Sequence, residues 1–496
     1  MKKCIIALTI LSAFIYKSTM AQSGLGYYHM AREIPNGTNL SPIFFPDAGL
    51  YLGLWGVQLN AASPYDAKDL TTLDSEGERV YNLDLVTSDL DNKDFISFGT
   101  EVYALNLGLK INPKSYVTFF ANGVNENIIQ IPKSMINFLS QGNGAFAGSS
   151  YEIDDVRIGS NTYFEGGIGY SRTFTLLGKP LLAGIRLKYL VGVAHMSLDN
   201  DAKATFTTNT DGTFNISVDE AVLRTGGLLA DESYAFDSRG FALDFGAEYN
   251  LTDKLSVSFT ARDLGSISWK ENSTKNYSAN GSALTYEGID DLASNSDLGE
   301  ITDTIESVFN TEEFKEGFSK ALQPEFYYGA RYKLFGQSYA SLTMANYIRQ
   351  GRLQTGIGVG ATINLISTLT LTGTIAKVPE NGIDFGAGVA LRLAILQLYV
   401  AADGLSSLNL SNASYAQVNA GMSLMFGRPR NKEKKLARKS EKKSGKVNTK
   451  KIKEKKLADT AEERAAEEKA KKEKELKEKY KKLDEDKKKF EENLEE

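Results

Sequence analysis

The stretch AQVNAGMSLMF, residues 416–426, decides the fold. Ala416, Val418, Ala420, Met422, Leu424 and Phe426 fall on one side, and Gln417, Asn419, Gly421 and Ser423 on the other. A period of two is that of a β-strand, here with one apolar face and one small polar face. Gly427 follows, and from Arg428 to Glu496 apolar residues are sparse.

The same alternation and palette recur upstream. Leu181, Ala183, Ile185, Leu187, Tyr189, Val191 and Val193 oppose Gly184, Arg186, Lys188 and Gly192. Phe241, Leu243, Phe245, Ala247 and Tyr249 oppose Asp244, Gly246, Glu248 and Asn250. Similar runs begin at Tyr103, Leu255, Phe326, Leu353 and Ile383. Each is about ten residues long, the length of a tilted strand that spans a bilayer. A soluble sandwich also alternates, with its apolar face inward. Aromatic residues near strand ends (Tyr103, Tyr189, Tyr249, Phe326, Tyr339, Tyr347 and Tyr399) fit interfacial girdles instead. The polar faces, rich in Gly, Ser, Thr and Asn with isolated charges, suit a lumen. The expected fold is all-β: a transmembrane antiparallel β-barrel of about 14 strands, within roughly 12–18. Residues 250–254 and 335–338 read as short periplasmic turns. Residues 61–94, 197–239 and 270–325 read as extracellular loops or lumen fill. Helices are expected over Pro132–Phe138 and Asp297–Leu322.

The N-terminus has the form of an export signal, residues 1–21. Lys2 and Lys3 precede an apolar run from Ile5 to Tyr16, and Thr19-Met20-Ala21 supplies a cleavage site. Cys4, the single cysteine, leaves with that signal, so no disulfide or cysteine–metal site is expected. No later apolar run is long enough for a membrane helix, which leaves a closed barrel as the membrane-embedded form. The net charge of −5 is uneven: residues 428–496 hold 27 Lys and Arg against 18 Asp and Glu, and residues 22–427 carry −17. An acidic body argues against nucleic acid as a partner.

Little in the chain suggests catalysis, and no cofactor or metal is expected. The histidines are His29 and His195. A barrel lipase needs a serine beside its histidine, and none is marked out near His195. Asp89, Asp91 and Asp94 alternate, but Lys93 and Asp94 stand where a calcium loop needs an oxygen ligand and a glycine. The charges on inward faces are Glu165, Arg186, Lys188, Asp244, Glu248, Arg262, Arg331, Lys333 and Arg392. With mixed signs they are expected to pair and largely close the lumen. The inward glycines leave room for a plug, for which residues 22–49 are the candidate, with Asn39, Pro42, Phe44 and Phe45 as hatch residues.

Three stretches carry a family resemblance: PKSMINFLSQGNGAF from Pro132, EGGIGYS from Glu165 and GIRLKYL from Gly184. They resemble a Bacteroidota family of outer-membrane barrels of unknown function. NLSPIFFPD from Asn39, followed by YLGL from Tyr51, resembles its N-terminal motif. It is more loosely similar to the Asn-Pro-Ala motif of FadL-type barrels and PorV, with Ser41 before the proline and Ile43 after it. The strand ending at Phe426 resembles the closing strand of a bacterial outer-membrane β-barrel. FadL-type barrels carry apolar solutes past an N-terminal hatch, and PorV serves a secretion machine.

Beyond the barrel (50–427), residues 428–456 are expected to form a basic flexible tether, suited to anionic headgroups of the outer-membrane lipid. Residues 457–496, rich in Ala, Glu, Lys and Leu, are expected to form a charged periplasmic helix. Leu476, Tyr480, Leu483, Phe490 and Leu494 make a thin heptad seam, broken at Lys487. Two functions follow as expectations. One is a non-enzymatic barrel that admits an apolar small solute past a hatch. The other is a scaffold or accessory subunit of an envelope machine, binding a protein partner through 428–496.

Overall fold

Fourteen antiparallel strands form a barrel without a free edge. They are β1 (Leu50–Ala62), β2 (Ile96–Asn112), β3 (Ser115–Gln130), β4 (Arg157–Leu176), β5 (Lys179–Leu198), β6 (Ser238–Asn250), β7 (Leu255–Trp269), β8 (Glu325–Lys333), β9 (Tyr339–Arg349), β10 (Arg352–Ile366), β11 (Leu369–Val378), β12 (Gly382–Leu393), β13 (Leu396–Asp403) and β14 (Tyr415–Phe426). Each pairs with its successor, and β14 returns to β1, with Leu50 opposite Phe426 and Ala62 opposite Tyr415. Closure satisfies every ladder inside the sheet, which hydrocarbon demands. The structure is a computed structural model that describes residues 24–46, 48–63, 71–73, 79–81, 96–130, 132–141, 143–153, 156–198, 202–230, 236–279, 282–286, 312–349, 352–366, 368–378, 382–405, 415–427 and 460–488. The signal, the Asp89–Asp94 loop and the basic tether lie outside the described residues.

Burial along β14 shows which way the sheet faces. Gln417, Asn419 and Ser423 are buried, whereas Val418 and Phe426 are exposed. On β5, Ile185 and Leu187 point out and Arg186 and Lys188 point in. A soluble sandwich has the opposite polarity, so this is a membrane barrel. Four tyrosines expected in the outer girdles, Tyr103, Tyr339, Tyr347 and Tyr399, are buried on the inner side. For Tyr103 the cause is a register shift between Tyr103 and Leu105, which puts the tyrosine out of phase with the leucines after it.

Connections 113–114, 177–178, 251–254, 334–338 and 394–395 share one end of the barrel with Gly49 and Gly427. The long connections are at the other end, and they are not plain loops. Lys203–Thr208, Phe214–Gly227, Asn276–Ala279, Ser282–Tyr286 and Phe318–Ala321 are strands that extend the sheet past the barrel. The helix expected over Asp297–Leu322 is not formed in its described part. Glu312–Phe314 pairs with Asn276–Ser278, and Phe318–Ala321 pairs with Ser266–Trp269. Tertiary packing of Phe318 and Leu322 on Trp269 overrides their helical spacing.

Among the described residues, two α-helices belong to this unit: α1 (Leu25–Ala31) and α2 (Lys133–Gln141), the second as its sequence predicts. The chain divides into two compact units after Gly427. In the second, residues 460–488 are one helix, with Glu468–Lys472 and Glu473–Lys477 ion pairs at 3.1 and 3.7 Å. Leu476, Tyr480 and Leu483 are exposed on it.

Ile168 sits midway along β4 on the lipid face. Ile168→Arg is expected to destabilise the barrel by about 2–4 kcal/mol in urea unfolding from lipid vesicles. Ile168→Leu is expected to leave the midpoint nearly unchanged.

Candidate functional site

The lumen is filled by the chain's own N-terminal segment. Residues 24–44 are almost entirely buried, although they lie in no strand. α1 is followed by a 3-10 turn, Pro35–Asn39, and then by an irregular run to Gly49. The Gly49 N–H donates to the carbonyls of Phe426 and Gly427, so the segment is tied to the end of β14 before β1 begins. Such a run cannot satisfy its own backbone, and the wall does so instead. Arg186 donates to the carbonyls of Thr38 (2.9 Å) and Asn39 (3.0 Å) and to Asn39 Oδ1 (3.2 Å). Asn106 donates to the Pro35 carbonyl, Gln397 to Glu33, Ser171 to Pro42, and Tyr339 and Thr362 to His29. Asp403 accepts the Gly26 N–H at 2.8 Å.

Wall glycines shape the seat. A Cβ on Gly358 would lie 3.0 Å from Leu25, one on Gly360 2.9 Å from His29, one on Gly388 2.9 Å from Met30, and one on Gly56 2.3 Å from Asn36. The inward tyrosines complete it. Tyr28 stacks on Tyr327 at 4.7 Å and Tyr27 on Tyr399 at 6.1 Å, and Asn36 donates to the Tyr399 hydroxyl. The four hatch candidates all make contacts here. Asn39 and the Pro42 carbonyl are held as described. Phe44 meets Tyr28 edge-on at 5.0 Å, and Phe45 stacks on Tyr116 at 4.6 Å.

Above this seat, towards the long-loop end, lies a charge network. Lys188 Nζ is 2.6 Å from Asp263, 3.0 Å from Glu165 and 3.2 Å from Asp244, and Arg186 is 3.3 Å from Asp244. The Arg186 guanidinium also lies 3.7 Å over the Phe120 ring. Arg262 reaches Asp263 at 2.7 Å, Glu325 at 3.6 Å and Glu101 at 3.7 Å. Arg349 reaches Glu325 at 3.0 Å and Glu126 at 3.9 Å. The Arg262–Glu101 and Arg349–Glu126 pairs cross the lumen, from β7 to β2 and from β9 to β3. At the short-turn end Glu248 is shared by Arg32 of the plug and Arg331 of the wall. Arg32 and Arg331 also line a cavity of about 370 Å³, together with Phe45 and Lys254.

Of the nine expected lumen charges, Glu165, Arg186, Lys188, Asp244, Glu248 and Arg262 are buried together in these clusters. Arg331 joins at the edge, Arg392 is half-buried and Lys333 is exposed at the short-turn rim. Glu101, Glu126, Asp263, Glu325 and Arg349 were not among the expected residues. Two of them carried a signal. Glu101 and Asp263 both fall on the apolar phase of their strands, where a lone acid cannot face lipid. Each is turned inward by a bulge. Next to Asp263 the register shifts between Leu243 and Phe245, and Asp263 sits at φ 62°. That strained backbone lets Arg262 and Asp263 both face in.

Each histidine has a serine beside it, a pairing the sequence did not mark out. His195 Nε2 is 3.0 Å from Ser197 Oγ, and His29 Nδ1 contacts Ser341 Oγ. His195 is buried against Trp269 and Phe318, with no hydrogen-bond partner on Nδ1. A hydrolytic triad needs that third, orienting group and access to substrate.

The geometry defines a class: a closed transmembrane β-barrel with residues 24–46 packed against its inner wall. The chain belongs to the family of unknown function DUF5723, whose model matches residues 42–403. No curated protein matches it in sequence. Among solved structures, a ΔS2 mutant of the monoaromatic hydrocarbon channel TodX is 13% identical, with 83% of this chain and 96% of that one covered and a TM-score of 0.38. The Ralstonia pickettii toluene transporter TbuX is 10% identical, with coverage of 83% and 96% and a TM-score of 0.36. A Pseudomonas aeruginosa FadL homologue is 11% identical, with coverage of 81% and 94% and a TM-score of 0.35. At these identities and scores nothing about solute or mechanism is carried over.

Lys188→Met leaves Glu165, Asp244 and Asp263 facing one another without their shared cation. It is expected to cost about 3–5 kcal/mol in chemical unfolding. Burial pushes the His29 imidazole down to about 4. A released plug takes up a proton near the ordinary value of about 6.5, whereas a seated one does so only near 4. Seating is therefore strongest above the upper value and weakens as pH falls through this window, by roughly 3 kcal/mol in all. Protease cleavage in 24–46 is expected to rise from pH 7 to pH 4 in the native chain, and less so in His29→Gln.

Proposed function

We propose that the protein is a non-enzymatic outer-membrane barrel that passes a small solute through a lumen gated by residues 24–46. A poorly soluble solute is the class implied by the FadL-type resemblance. One observation supports a movable hatch over a fixed stopper: beside its tyrosines and alanines, the seat carries many polar side chains and glycines. Asn106, Asn122, Ser171, Thr260 and Thr362 hold the plug by bonds that water can replace. The polar part of a vacated seat hydrates at little cost. The short-turn end, where Gly427 leaves β14, is the periplasmic side in this reading, and 428–496 lies in that compartment.

A second reading rests on the ion pairs that cross the lumen. They brace opposite walls, as suits a static scaffold that engages an envelope partner through its tail.

The Ser41 and Thr260 hydroxyls are 2.7 Å apart, one on the plug and one on the wall. Ser41→Cys with Thr260→Cys should lock the plug when oxidised. Uptake of the hydrophobic dye N-phenylnaphthylamine into proteoliposomes is expected to stop in the locked protein and return on reduction. Equal flux in both states would remove the gating role. For the scaffold reading, a stoichiometric partner recovered in mild detergent with the full chain and lost on truncation after Gly427 would decide against passage.

A further inference from the structure

We propose that the small cavity between the plug and the cross-lumen carboxylates is a binding subsite for an organic cation, an ammonium or guanidinium headgroup. The cavity has a volume of about 40 Å³, with Gly24 and Leu40 of the plug in its lining. Its wall contributes Glu101, Glu126 and Glu325 against Arg262 and Arg349, together with amides such as Asn60. The carboxylates exceed the cations, and two of the acids are loosely paired. Arg262–Glu101 is 3.7 Å and Arg349–Glu126 is 3.9 Å, both beyond hydrogen-bond length, whereas Lys188 holds its three acids at 2.6–3.2 Å.

A second, independent feature concerns bare acceptors. Glu101 is 5% exposed, and its Oε1 has no hydrogen-bond partner. Asn60 Oδ1 is likewise buried and unpartnered. The two are close by register, because Glu101 pairs with Gln58 and Gly99 with Asn60 on adjacent strands. Buried acceptors without donors are costly, and a ligand that brings donors and positive charge relieves them. Among the described residues no three acidic or imidazole groups converge as a metal site, which favours an organic cation over a divalent metal. The volume admits one such headgroup or about three waters, so the subsite grips the end of a larger molecule. It stands whether or not the barrel conducts.

The test is calorimetric titration of the full-length protein in detergent with the diamine putrescine and with butanediol, a neutral diol of the same length. Saturable binding of the diamine alone is expected, weakened about tenfold or more by Glu101→Gln. Lys333→Ala, at the far rim, should leave it unchanged. Equal binding of the diol, no diamine binding, or an unaltered affinity in Glu101→Gln would overturn the proposal. If Glu101→Gln fails to fold, Asn60→Asp replaces it. An added carboxylate there should tighten diamine binding, and unchanged or weaker binding would overturn the proposal equally.

Discussion

A lysine buried inside a barrel that lipid surrounds must be neutralised where it stands. Lys188 meets that demand with Glu165, Asp244 and Asp263 from three neighbouring strands. Much of the interior depends on this arrangement. The bulge at Asp263 supplies the third carboxylate, and with it brings Arg262 into the lumen. Asp244 also serves Arg186 and accepts the Asp263 N–H at 2.8 Å. Arg186, charge-balanced and backed by the Phe120 ring, is then free to spend its donors on the plug. The Thr38 and Asn39 carbonyls of the plug are satisfied because this cation is fixed.

The lumen has two layers of different character. The inner layer, around Lys188, is tight and spans adjacent strands, so it stiffens one wall. The outer layer, Arg262–Glu101 and Arg349–Glu126, is looser and spans the lumen. Stretched pairs across a polar gap cost less to open than short pairs beneath them. In the passage proposed above, release of the plug from its seat and parting of the outer pairs are separate events on separate residues.

Much of the barrel was legible in the chain because a membrane strand obeys a period of two and a fixed polarity. The runs in β5, β6 and β14 show both. Legibility failed where the period breaks. Tyr103, Tyr347 and Tyr399 look like girdle residues by their place near strand ends, yet they line the seat. Glu101 and Asp263 sit on the wrong phase for the lumen, and only their bulges turn them in. The helix expected before Leu322 gave way to sheet, because Phe318 found Trp269.

The sequence by itself determined the closed barrel and its approximate strand number. These follow from local alternation and from the rule that lipid accepts no unpaired backbone. Only the tertiary structure decided which charges meet. Partners such as Arg262 and Glu101 lie far apart in the chain and on opposite walls, so their pairing depends on barrel closure and on two bulges. No local pattern encodes that distance.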